Sequence, residues 1–139
     1  MSGVRQPGES WTLTDVTLVV KKDDLDPDSV TARLGLHPSA VRLPGVDRWN
    51  PAGDTDGQWR LQCDERTTRV LSEQLDVVLR AAEGCSRVLE MLRSEGCETS
   101  IIISGFAGND SQIIFSGEEM ARISRLQTPV KIIPNVNER

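Results

Sequence analysis

The spacing of apolar residues changes period twice along this chain, and that change limits its fold more than any single motif. In TDVTLVVKK, Val16, Leu18 and Val20 alternate with Asp15, Thr17 and Val19; in QWRLQCDE, Trp59, Leu61 and Cys63 alternate with Gln58, Arg60 and Gln62. A period of two belongs to a strand with one buried face. From Thr68 the spacing becomes four and three through Leu71, Leu75, Val78 and Ala82, continued after Gly84 by Cys85, Val88, Leu89 and Leu92. That is the stripe of an amphipathic helix. TSIIISGF then returns to strand character, and its continuous Ile101–Ile103 run predicts a central strand covered, at least in part, on both faces.

Punctuation between these runs fills in the order. LDPDSVTARLGL carries helix signals at both ends: Asp26 as N-cap, Pro27 at the first helical position, Gly35 just past the end and Pro38 barring continuation. Val30, Leu34 and Leu36 are its inward residues. SAVRLPG is expected as a short edge strand, and Val46 to Gly57 as a long polar loop rich in Gly, Pro, Asn and Asp. The helical stripe stays in phase across Gly84, so one long helix fits; AEGCSR has the look of a cap and restart, and two helices are preferred. Gln112–Phe115 is expected to pair as a strand with Thr99–Phe106 across the turn-rich AGND. Ser116 with Glu119 forms a capping box for a helix carrying Met120, Ile123 and Leu126, and PVKIIPNV closes the chain as a strand stopped by Pro134. Strands and helices in this order predict an α+β fold: a mostly antiparallel sheet with helices on one face, a two-layer sandwich ferredoxin-like in spirit. Residues 1–11, rich in Gly, Pro, Ser and Gln, are expected as a flexible tail before a single domain over 12–139.

Charge and composition restrict function by exclusion. A formal net charge of −5 with scattered arginines lacks the basic stripe of a phosphate-tracking protein, and three Trp, two Phe and no Tyr leave little for base stacking. No nucleic-acid partner is expected, while an acidic surface suits a basic protein partner. No apolar run is long enough to cross a bilayer and the start lacks a signal-peptide pattern, so a cytoplasmic protein without membrane contact is expected. Cys63, Cys85 and Cys97 are odd in number, widely spaced and free of any CxxC pair, which points to reduced, buried side chains rather than a disulfide framework or zinc. No metal or cofactor is expected.

Candidates for chemistry are few. His37, the single histidine, could serve as a general base, but no nucleophile elbow, triad spacing or phosphate loop accompanies it. Its place after a helix end favours a structural role against the terminal carbonyls. Asp23, Asp24, Asp26 and Asp28 lack the glycine and distant glutamate of a calcium loop, and Glu118 and Glu119 are accounted for by the first turn of a helix. The polar loop is the better candidate: Trp49, flanked by Asp47, Arg48, Asp54 and Asp56, is the amphipathic anchor type found at interface hot spots.

The segments LDPDSVTARLGLHPSAVRLPG, GQWRLQ, LSEQLDVVL and FSGEEMARISRLQTPVKI together resemble a bacterial family known as domain of unknown function 4279. The likeness runs from about Val16 to Ile133 and rests on structural signatures, including the LDP helix start and Trp59. KIIPNVNER departs from the acidic and aromatic ending frequent in that family. The resemblance implies a small stand-alone protein and assigns no activity, cofactor or catalytic residue; it permits an immunity or accessory role beside a toxin. The expected function is therefore non-catalytic protein binding, with a small-molecule-sensing module as first alternative and an enzyme using His37 as second. Self-association through a sheet edge is compatible with each.

Overall fold

Trp59 shows how the two periodicities meet. In the computed structural model it is fully buried, in register with Val20 on the neighbouring strand, and its Nε1–H donates to Thr31 Oγ1 at 3.0 Å on a helix packed above the sheet. A buried indole needs such an acceptor, and truncating a side chain of this size in a core costs about 3–5 kcal/mol. The structure describes residues 10–47, 50–108 and 110–135, with the backbone alone for 46, 47 and 50–54.

The elements run β1 (Thr12–Lys22), α1 (Pro27–Leu34), β2 (Ala40–Arg42), β3 (Gly45–Asp47), β4 (Asn50–Thr55), β5 (Gly57–Cys63), α2 (Leu71–Gly84), α3 (Ser86–Ser94), β6 (Glu98–Phe106), α4 (Gly117–Leu126) and β7 (Val130–Asn135). Five strands form one sheet in the order β2-β5-β1-β6-β7, antiparallel except for the β6–β7 pair. The fold is an α+β sandwich. Register aligns Val16 with Cys63 and Ile103, and Leu18 with Leu61 and Ile101, so alternate residues of three strands meet Leu75, Val78, Leu79, Leu89 and Leu92 of the helices in one core.

Local chemistry sets the helix ends. Asp26 Oδ1 accepts from the Asp28 amide at 3.1 Å, and Gly35 ends α1 at φ 71°, a left-handed position that favours glycine. The α2–α3 stripe breaks at Cys85, whose φ of −128° leaves the helical region, so the preference for two helices holds. The Ser116–Glu119 capping box of α4 is present in full. Arg122 then ties α4 to α2, its Nε and Nη2 donating to Glu83 at 2.9 Å and its Nη1 to Asp76 at 2.9 Å. Hydrogen bonding to this guanidinium holds both carboxyls below their usual range.

Four expectations need correction. The 46–57 stretch is not a loop: β3 and β4 pair antiparallel as a separate two-stranded sheet, with Asn50, Pro51 and Gly53 carried inside β4. Gln112–Phe115 is not a strand of the sheet; among the described residues its bridge, Ser10 with Gln112, is isolated, since β7 takes the position beside β6. Pro134 does not stop the last strand but pairs with Gly105 inside β7, tolerated because β7 is an edge. The outer alternates Thr17 and Val19 are also buried, because β1 is the middle strand and Val19 is flanked in register by Arg60 and Ser100. The Ile101–Ile103 strand is interior as expected, with Ile102 half-buried on the second face.

Candidate functional site

The start of β1 is irregular in a way that builds a cleft. Thr12 pairs with Phe106 and Asp15 with Ser104, so β1 carries one extra residue there, a β-bulge. Leu13 absorbs it at φ 51°, a left-handed conformation that a leucine adopts only at a cost, and its side chain is 65% exposed. Across the pair, Gly105 has no Cβ to obstruct: one placed there would lie 2.8 Å from Thr14 Cγ2 and 3.1 Å from Trp11 Cε3. The glycine therefore admits the half-buried Trp11 ring against β6.

A buried polar clamp fixes this corner to α2. Gln74 is fully buried; its Nε2 donates to the carbonyls of Thr14 and Thr68 at 2.8 Å each, and its Oε1 accepts from Thr14 Oγ1 at 2.7 Å. Each polar atom of that side chain is used, which offsets the cost of burying it. Thr68 Oγ1 in turn accepts from the Val70 amide at 3.2 Å and donates to Glu73 at 2.6 Å, fixing the turn that presents Arg69 and Val70.

Two hollows open between these parts and share Trp11 and Arg69. One, of about 330 Å³, is walled by Ser10, Trp11, Arg69, Val70, Gln112 and Ile114 among others; its neighbour, of about 240 Å³, lies against Leu13, Thr14 and Glu65. Ile114 is 71% exposed and Val70 49%. Three large aliphatic side chains left open around an indole are the composition of a docking surface, where burial against a partner would gain what folding does not.

A third hollow of about 630 Å³ is lined by Lys21, Lys22, Asp23, Asp24, Asp56 and Glu98 with Gly96. Both of its lysines are matched within the chain, Lys21 to Glu98 at 3.7 Å and Lys22 to Asp24 at 3.5 Å. Among the described residues no group of three or more His, Cys, Asp or Glu is placed to hold a metal ion. Cys63, Cys85 and Cys97 are buried and free, and burial pushes all three thiols up.

The residues singled out from sequence are not brought together. His37 is exposed, and no hydrogen bond joins its ring to the end of α1 among the described residues, where the Gly35 amide instead reaches Thr31 O at 2.9 Å. Asp56 is engaged by Arg42, which bonds both its carboxylate and its carbonyl. Asp47 and Asp54 lie on the β3–β4 hairpin with their side chains outside the described residues, as are Arg48 and Trp49 altogether. Trp11, Leu13, Arg69, Val70 and Ile114 were not flagged by sequence reasoning; the surviving signal was a tryptophan just ahead of the first alternating run.

Among the described residues no helix is long and apolar enough to cross a membrane. No curated protein and no solved structure matches the chain. The family model described as Domain of unknown function (DUF4279) matches residues 11–137, from the cleft tryptophan to just past β7. With nearly its whole length matched, the chain belongs to the DUF4279 family.

Proposed function

We propose that this protein is a non-catalytic binding or accessory module that docks a partner protein at the Trp11 cleft. The observation that supports this reading is the exposed aliphatic trio Leu13, Val70 and Ile114 around a half-buried indole, with Leu13 held outward by a strained backbone. An apolar centre with Arg69 and Glu65 beside it has the make-up of an interface core and its rim. The net charge of −5 adds long-range attraction for a basic partner. The β3–β4 hairpin, with Asp47 and Asp54 on its strands and Arg48 and Trp49 between them, is a second proposed contact.

The test is affinity purification of the tagged full-length protein from its host, wild type beside Leu13→Asp, Ile114→Asp and Trp49→Ala, each first shown to keep the wild-type melting temperature. A stoichiometric protein held by wild type and lost by the two cleft variants is the expected result; loss in Trp49→Ala separates the hairpin's share. A small-molecule sensor is the rival reading, favoured by a hollow at the lower end of the usual ligand range of about 300–1,000 Å³. Solo elution of the wild type, together with a metabolite that raises its melting temperature, would establish that rival instead.

A further inference from the structure

We infer that the cleft takes an extended segment of the partner by strand addition along Ile114 and Phe115, with an acidic side chain of that segment seated on Arg69. This rests on the cleft being a protein-binding site and specifies how it recognises its partner. Gln112–Phe115 has the composition and the side-chain alternation of a strand: Gln112 and Ile114 are exposed, while Ile113 and Phe115 are half-buried and pack against the core. Yet among the described residues no ladder extends past the bridge at Gln112, and the Ile114 and Phe115 backbones bond to no other described backbone group. A strand-like segment whose Ile114 and Phe115 backbones have no such bond is a template for an added strand, whose main-chain bonds supply affinity while alternate side chains supply specificity.

The occupant's side chains follow from the walls. Trp11, Val70 and Ile114 offer an apolar seat beside that backbone. Arg69 is the sole charged side chain among the described residues lining the 330 Å³ hollow, and it has no ion pair among them. Its guanidinium presents a fork of donors matched to a carboxylate. Glu65 lines the adjoining hollow and not this one, which places the acidic residue of the segment on the Val70 side and not the Leu13 side. A second copy is a poorer occupant, since it would bring another net charge of −5 to the contact.

The experiment is a titration of the isotope-labelled full-length chain with the capped peptide Ile-Asp-Ile-Asp-Ile, beside Ile-Lys-Ile-Lys-Ile, read by amide shifts and amide hydrogen exchange. Expected is slowed exchange at the Ile114 or Phe115 amide with the aspartate peptide, preference for it over the lysine peptide, and a loss of about fivefold in affinity with Arg69→Glu, the upper range for an exposed charge pair. Arg69→Glu should also improve binding of the lysine peptide, a reversal that a misfolded variant could not produce. Shifts at Trp11 and Val70 without protection at Ile114 and Phe115 would overturn strand addition while leaving the cleft a binding site. No shift at any cleft residue would overturn both. Protection already present without peptide would assign the seat to a second copy if it rises with protein concentration, or to residues 1–9 if their removal abolishes it, and either would overturn the inference.

Discussion

Leu13 permits a test in which the sign of the effect, and not only its size, decides the matter. At an ordinary position glycine is less stable than alanine by about 0.5–1 kcal/mol, because the unfolded chain gains freedom. At φ 51° the order should invert: an L side chain in the left-handed region costs roughly 1–2 kcal/mol, which alanine still bears and glycine does not. Leu13→Ala and Leu13→Gly both give up the same small burial, about a third of the side chain or roughly 0.7 kcal/mol, since the leucine is 65% exposed. The difference between the two variants is therefore backbone alone, and Leu13→Gly should be the more stable by about 1 kcal/mol, or about 3 °C in melting temperature for a domain of this length. Urea unfolding with unchanged slopes measures it. Both variants should weaken the proposed docking equally, because both lack the side chain. If alanine proves as stable as glycine or more so, Leu13 is not left-handed, and the bulge that turns it outward is wrong.

Gly105→Ala should destabilise by about 1–3 kcal/mol, because its new methyl meets Thr14 Cγ2 at 2.8 Å and the Trp11 ring at 3.1 Å, and near-ultraviolet circular dichroism should register the displaced indole. Gln74→Leu should cost about 2–4 kcal/mol by leaving the Thr14 hydroxyl and two carbonyls without their buried partner; a change under 1 kcal/mol in urea unfolding would contradict the clamp. Asp76 and Glu83 have lowered folded-state pKa values, so their contribution is complete above the unfolded carboxylate range of about 4 and fades as pH falls through the lower folded values. The stability gap between wild type and Arg122→Met should accordingly be widest near neutrality and narrow in acid, as followed by urea midpoints across pH. The three thiols should resist a thiol reagent in native buffer and all react after unfolding, since burial both shields them and disfavours the thiolate.

Where local chemistry and tertiary context agree, the fold was legible from the sequence. Asp26, Pro27 and Gly35 bracket α1, the Ser116–Glu119 box opens α4, and the alternation of β1, β5 and β6 predicts which side chains share the core. The Arg122 clamp was illegible because its partners lie 39 and 46 residues away, and no local period encodes a contact between two helices. The β3–β4 hairpin was hidden for a different reason: Gly, Pro, Asn and Asp mark a polar loop and a hairpin of short strands alike. Pro134 read as a terminator because the edge position that tolerates it depends on which strand lies beside β6.

The cleft residues escaped notice by a common route. Trp11 stood at the end of a compositionally tail-like segment, Leu13 lay just ahead of the alternating run and out of phase with its apolar positions, and Gln112–Phe115 carried strand character without a strand's ladder among the described residues. Each is a place where the local preference of the chain and its actual conformation disagree, and all three meet at one end of the sheet. Sequences that fold well are consistent across levels, and exceptions are kept where something other than folding benefits. A leucine in a left-handed bulge, a strand-like segment without a ladder among the described residues and a half-buried tryptophan each leave stability unclaimed. In the proposed reading, a partner that adds a strand along Ile114 and covers the indole would offset all three at one place, because Trp11 borders both hollows.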